Sequence, residues 1–143
     1  MRPGKPTGAA SSFASGIFRE PLNGQKAMLP VSKDTSLWIC SPRIVVKNLI
    51  LASQIPEDLF KGRSRIVNLP GSTVSVQEML DALDTVGGGK ALALVQEGKD
   101  EKIQEIVKGW PTRLETSKAE RLGFTNSGTL EQSLREYIED YCA

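Results

Sequence analysis

The sequence contains no histidine. A Ser–His or Cys–His nucleophile, a histidine general base and a His-rich metal site are therefore excluded. Any acid–base chemistry falls to a carboxylate, lysine, tyrosine or cysteine. Cysteine is almost as scarce: Cys40 and Cys142 are the two present. They cannot make a metal site alone and do not resemble a secreted disulfide framework. No apolar run is long enough to cross a bilayer, so no membrane partner is expected. The opening Met1-Arg2-Pro3-Gly4-Lys5-Pro6 lacks the apolar core of a signal peptide. A reduced, cytoplasmic setting is the expectation. An excess of one charge is missing too. Eighteen Lys and Arg against 17 Asp and Glu leave a net charge of +1, which gives no electrostatic case for nucleic acid. What is present is ordinary globular composition, 39% hydrophobic and 24% charged over 143 residues, enough for one domain with a real core.

The chain is organised around residues 38–52. Leu37–Cys40 is too short and apolar for anything but a buried strand or the entry to a helix. Ser41 offers an N-cap oxygen, and Pro42 suits the first helical position. Ile44, Val45, Val46, Leu49, Ile50 and Ala52 then spread over more than one stripe, which predicts a helix buried on most sides. Ser41 and Arg43 stand near its N-terminus. That turn reads either as an anion site or, more commonly, as a simple cap with a solvated arginine.

Elsewhere, helical spacing of Ala10, Phe13 and Ile17 predicts a helix from Ala9 to Leu22, ended by Asn23-Gly24. Gln25–Val31 and Ser64–Pro70 are predicted strands, and Pro56–Phe60 a helical turn at most. Ser75-Val76-Gln77-Glu78 is a capping box opening a helix with Val76, Met79, Leu80 and Leu83 on one face, stopped by Gly87-Gly88-Gly89. Lys90–Gln96 reads as a strand, and Asp100 as the cap of a helix bearing Ile103, Ile106 and Val107 that ends at Trp110-Pro111. A short helix from Ser117 closes on Gly123-Phe124. Thr129–Gln132 is a second capping box, opening a helix with Leu134 and Tyr137 on its apolar side. Strands alternating with helices predict an α/β or α+β domain.

Candidate chemistry is sparse. Gly87-Gly88-Gly89-Lys90 lacks the strand–loop–helix order and the Ser/Thr of a phosphate loop. Gly4-Lys5-Pro6-Thr7-Gly8 fails the dinucleotide fingerprint. The mixed charges of residues 99–105, and of Glu136, Glu139 and Asp140, read as solvated faces. No complete catalytic set and no metal site emerges.

An ordered series of motifs nevertheless resembles one family. Arg2-Pro3-Gly4-Lys5-Pro6 with Ala9–Phe13, the Trp38…Ser41-Pro42-Arg43…Asn48-Leu49-Ile50 block, Val67–Gly71, Gly109-Trp110-Pro111 and Ala119…Leu122-Gly123-Phe124 are similar to the carboxy-terminal portion of D-erythronate dehydrogenase-type enzymes. These are extended short-chain dehydrogenases/reductases of the NAD-dependent epimerase/dehydratase superfamily. The resemblance covers essentially the whole chain. It implies oxidation of a sugar-acid hydroxyl by hydride transfer to NAD, with a tyrosine as base. That family carries a glycine-rich NAD-binding unit and a Tyr-x-x-x-Lys pair, and neither occurs in this sequence. The resemblance therefore implies a single incomplete unit over 1–143, the substrate-binding part with the Rossmann half missing. It implies that Pro3 and Gly4 wall the cofactor pocket, and that Ser11 and Ser12 hydrogen-bond a polyhydroxy acid. Arg43 either meets a substrate carboxylate or only caps and pairs. A truncated gene product, a mispredicted gene start and a genuine short paralogue all fit.

Two functional expectations follow. One is a substrate-binding part of an NAD-dependent oxidoreductase, inactive as this chain alone. The other is a non-catalytic remnant acting as an interaction module with a partner or a full-length paralogue. Either way, the apolar helix after Ser41, with Phe13, Ile17 and Phe18, is expected to lack cover within the chain and to drive self-association or partner binding.

Overall fold

The computed structural model describes residues 4, 5 and 7–142. Helix α1 spans Ser12–Leu22 and so begins three residues after Ala9, the start expected from the sequence. It ends where Asn23 Nδ2 donates to the Arg19 carbonyl at 2.8 Å and Gly24 takes a positive φ of 71°. That hydrogen bond satisfies one of the carbonyls a helix end leaves open. Strand β1, Ala27–Leu29, follows at once and packs against α1. Strand β2, Ser36–Ile39, leads into helix α2, Pro42–Gln54. Ser41 Oγ accepts from the Ile44 N–H at 3.3 Å, the N-cap that the sequence announces.

The strand expected at Ser64–Pro70 does not form. Its carbonyls are used singly instead: Ser64 and Ile66 accept from Lys118 Nζ. Asn68 Nδ2 donates to the Glu115 carbonyl at 3.1 Å. The pairing goes to β3, Ser72–Ser75, which lies antiparallel to β2 with Leu37 opposite Val74 and Trp38 opposite Thr73. A strand needs a neighbouring edge, and residues 64–70 are offered none. Gly71 marks the close approach, since a Cβ there would sit 2.7 Å from the Ile39 carbonyl oxygen and from the Trp38 ring.

Helix α3 runs Val76–Leu92 and opens with the full capping box of Ser75 and Glu78. The glycines do not stop it. They bend it at Gly88, whose φ of 72° and ψ of 173° are non-helical, and a further turn continues to Leu92. The strand foreseen from Lys90 is therefore confined to β4, Val95–Glu97. Gly87 permits the bend to lie against α1: a Cβ there would come within 2.7 Å of the Ala91 Cβ and 3.0 Å of Leu22. Strand β4 pairs in parallel with β1, Ala27 opposite Val95. Helix α4, Glu101–Lys108, is capped by Asp100, which accepts from the Ile103 N–H at 3.1 Å.

Helix α5, Ser117–Arg121, ends in a Schellman motif. The Phe124 N–H reaches the Ala119 carbonyl at 3.0 Å and the Gly123 N–H the Glu120 carbonyl at 3.0 Å, with Gly123 at φ 88° and Phe124 buried. Helix α6 is Leu130–Tyr141. Its capping box is half formed: Thr129 Oγ1 accepts from the Gln132 N–H, but the Gln132 side chain turns to Glu136.

One core joins these parts. Phe13, Ile17 and Phe18 of α1, Leu29 of β1, Leu37 of β2, Met79, Leu80 and Leu83 of α3, and Leu134 of α6 form a continuous buried cluster. Phe13, Ile17 and Phe18 are thus covered by α3 and the strands, contrary to the expectation that they lack a partner. Helix α2 departs the other way. Asn48 is its one buried residue, so it is not enclosed. Among the described residues the architecture is mixed α and β, with one two-stranded parallel and one two-stranded antiparallel sheet.

Candidate substrate-binding site

A cavity of about 540 Å³ opens between the segment before α1, the first turns of α1, β1 and the start of α4. Ser12, Phe13, Gly16, Arg19, Glu20 and Lys26 are among its lining residues. Ser12 belongs there because the chain folds back onto the helix start: its Oγ accepts from the Thr7 N–H at 3.1 Å. The hydroxyl proton remains available to a ligand oxygen. Ser11 is the N-cap residue of α1 and its side chain makes no capping bond. It is exposed and does not line the cavity.

The floor is charged. Arg19 Nη2 donates to Glu20 Oε1 at 2.6 Å, and Nε adds a second bond at 3.0 Å. The two residues are only 6% and 7% exposed, so the pair is a buried one. Glu20 Oε2 is buried without a hydrogen-bond partner and lies close over Gly16, where a Cβ would approach it to 2.9 Å. This pair escaped the sequence reading. Adjacent residues of a helix face about 100° apart, so no spacing marks Arg19 and Glu20 as a joint buried unit.

Arg43 is elsewhere. It donates from Nε to Asp140 at 3.1 Å and from Nη2 to Asp140 and Glu139 at 2.5 and 3.0 Å. It lines a separate cavity between α2 and α6. The geometry therefore brings Ser12 into the α1 cavity but does not bring Arg43 to it. Pro3 lies outside the described residues. Gly4 is described, with a φ of 101° and open space where a Cβ would stand.

Groups able to move protons are held in their neutral forms. Burial pushes the Cys40 thiol up, and its Sγ contacts Asn126 Oδ1 at 3.5 Å. Burial likewise raises the Tyr137 phenol, against the opposing hydrogen bond from Asn23. Neither is an anion at neutral pH. No cluster of three or more His, Cys, Asp or Glu able to hold a metal is found among the described residues.

The exposed carboxylates behave differently. Hydrogen bonds from the Ser75 backbone and then its hydroxyl hold Glu78 below the ordinary glutamate value. Thr129 does the same for Glu131, and Arg43 for Asp140. Each folded value lies below its unfolded one, about 4.3 for Glu and 3.9 for Asp. Each therefore contributes stability that is present above the unfolded value and lost as pH falls through the folded value. Thermal melts are expected to be level down to about pH 5 and to fall below about pH 4. Arg43→Met should flatten part of that acid limb. A melting temperature that rises on acidification would contradict this.

The described residues do not fit NAD by themselves. A dinucleotide site sets its pyrophosphate on free N–H groups where a parallel strand turns into a helix. Here that step is β4-Gly98-Lys99-Asp100-α4, and the Asp100 carboxylate already occupies the helix end. Gly98 is taken up by Met28, which fills the place of a Cβ. The N-termini of α2, α3 and α6 are likewise closed by Ser41, Ser75 and Thr129.

Comparison with known proteins identifies the setting of this fold. No family model matches the chain. A nucleoside-diphosphate-sugar epimerase from Agrobacterium tumefaciens superposes over 99% of the chain and 41% of its own, with a TM-score of 0.91 and 40% identity. L-threonine dehydrogenase from Phytophthora infestans shares the fold at a TM-score of 0.81 and 18% identity, over 96% of the chain and 43% of its own. The fold is that of part of an extended short-chain dehydrogenase/reductase. Within that class the chain is related to D-erythronate dehydrogenase. The Haemophilus influenzae enzyme of that name is 42% identical over 139 residues, 97% of this chain and 44% of its own length. That of Cupriavidus necator is 40% identical over 140 residues, 98% of this chain and 43% of its own. The chain thus spans less than half the length of these curated relatives.

Proposed function

We propose that this chain is the substrate-binding part of an NAD-dependent oxidoreductase acting on a sugar acid such as D-erythronate, in a reduced cytoplasmic setting. The observation that supports this most is the match to D-erythronate dehydrogenase along 97% of the chain, together with Ser12 in the cavity at the head of α1. NAD, when held by a complete enzyme, accepts the hydride. This chain supplies neither the glycine-rich loop nor the Tyr-x-x-x-Lys pair, and Pro3 and Gly4 are proposed only as one wall of that pocket. Its own part is to hold the polyhydroxy acid. Ser12 donates to a substrate hydroxyl while its oxygen is fixed by Thr7, whereas Ser11, exposed and outside the cavity lining, is not given that role. Cations and anions both line the cavity, Lys26 and Arg19 with Glu20 and Asp100, a mixture suited to a ligand with one carboxylate and several hydroxyls. For Arg43 the pairing role is favoured, because Glu139 and Asp140 already take its guanidinium.

The test joins this chain to the stretch of the Haemophilus influenzae enzyme that it does not match. Ser12→Ala in that hybrid should raise KM for D-erythronate about two- to tenfold, the worth of one neutral hydrogen bond, and leave NAD affinity unchanged. The chain alone should give no NAD binding in calorimetry and no turnover. Equal loss for both ligands, or saturable turnover by the chain alone, would overturn the reading.

A further inference from the structure

Among the described residues, Arg19, Glu20, Lys26 and Asp100 are the charged side chains that line the α1 cavity. All but Lys26 are engaged. Arg19 donates from Nε and Nη2 to Glu20 Oε1 at 3.0 and 2.6 Å. The Asp100 carboxylate accepts from the Ile103 N–H at 3.1 Å and closes the start of α4. Lys26 makes no ion pair among the described residues. It is exposed, so its ammonium gives up little hydration when an anion meets it at the cavity rim.

The position of Lys26 matters as much as its charge. Ser12, Gly16 and Glu20 all line the cavity and recur at the i, i+4, i+8 spacing of one helix face. Eight steps of helical rise set Ser12 and Glu20 about 12 Å apart along α1. The Gln25 N–H returns to the Glu20 carbonyl at 2.8 Å, which fixes Lys26 at the Glu20 end, remote from Ser12. The flexible stem of a lysine covers part of that length, and a short polyhydroxy acid covers the rest. Gly16, halfway between, puts no side chain in the way. A second anionic group finds no welcome here. The helix end that opens on this cavity already holds Asp100, whose charge repels another anion.

We propose that Lys26 takes the substrate carboxylate while Ser12 holds a hydroxyl at the opposite end, and that the site thereby selects a free, singly charged sugar acid over a phosphorylated one. The inference rests on the oxidoreductase reading above and gives that reading an orientation. Arg43 does not compete for the role, since it lines a different cavity and is bonded to Glu139 and Asp140.

The experiment titrates the purified chain with D-erythronate and follows backbone amide chemical shifts. Saturable shifts are expected at Lys26 and at Ser12. Erythritol, the same carbon chain without the carboxylate, should shift Ser12 and leave Lys26 unmoved. Lys26→Met should weaken D-erythronate binding about three- to tenfold, between the worth of an exposed ion pair and that of a charged hydrogen bond. Erythritol binding should not change. Lys26→Arg should restore the affinity, and about 0.5 M salt should narrow the difference by screening an exposed charge. D-erythronate 4-phosphate should bind no tighter than D-erythronate. Unchanged D-erythronate affinity in Lys26→Met overturns the proposal, and so does equal weakening of both ligands. Tighter binding of the phosphate, or the absence of a saturable shift at Lys26, does the same. Binding is read here without turnover. A hybrid that oxidises D-erythronate while Lys26→Met changes nothing loses this assignment alone, and a hybrid without turnover leaves the Lys26 shifts standing.

Discussion

Leu83→Ala is expected to lower the free energy of unfolding by about 2–5 kcal/mol, the range for deleting a buried leucine side chain. Leu83 has no exposed surface. It sits in the middle of α3, the helix packed against both α1 and α6, so the void left behind is bordered by three elements. Collapse into that void is obstructed. Ile17 is equally buried on α1, and Gly87, next to the bend of α3, leaves no room for a Cβ against Leu22 and Ala91. Neither helix can slide inwards without opening a gap elsewhere, and the penalty should lie in the upper part of the range. Domains of this size are stable by about 5–15 kcal/mol, so the loss is a large share of the whole. Urea unfolding of the purified chain measures it. Ile106→Ala, at a residue 44% exposed on α4, serves as the contrast and should cost well under half as much. A loss below about 1 kcal/mol at Leu83 would show that α3 is not the shared centre of the core.

Arg19→Met should be comparably severe for another reason. The Glu20 carboxylate is buried, its Oε1 accepts from Arg19 Nε and Nη2, and its Oε2 has no hydrogen-bond partner. Removing the guanidinium leaves an uncompensated buried charge, which typically costs about 3–5 kcal/mol. Methionine retains most of the arginine stem, so little of the loss can be assigned to packing. Adding Glu20→Gln to Arg19→Met removes the charge and should recover a large part of the stability in the same urea titration. No recovery would mean that the damage came from other lost contacts of Arg19, and the electrostatic account of the pair would fail. The measurement also bears on the site, because both side chains line the α1 cavity. A floor that needs both charges for stability cannot be altered freely to suit a new ligand.

Much of the local structure is written in short stretches of the chain. Ser41-Pro42, the Ser75–Glu78 box, Asp100 and Gly123-Phe124 all mark helix ends that form as expected. Each signal is completed within about five residues, so no distant partner can veto it. The family resemblance is of the same kind, an ordered series of such local stretches, and it agrees with whole-chain matches to D-erythronate dehydrogenase. The absence of histidine, of a glycine-rich loop and of Tyr-x-x-x-Lys was likewise plain from residues alone.

Tertiary structure decided the rest. Residues 64–70 and 72–75 both have strand-like composition, but only the latter meet the edge of β2, because pairing depends on an element more than thirty positions away. The triple glycine had to bend α3 instead of ending it, since the turn beyond Gly88 finds cover for Ala91 in the core. Arg43 was legible as a cation near a helix start. That its charge goes to Glu139 and Asp140 depends on how α6 returns across α2. The apolar circumference of α2 was visible in the sequence, yet composition cannot tell which side of a helix its own chain covers. That choice is made by Asn48, whose two bonds to Thr125 turn one apolar stripe inwards and leave Val46, Leu49 and Ile50 facing out.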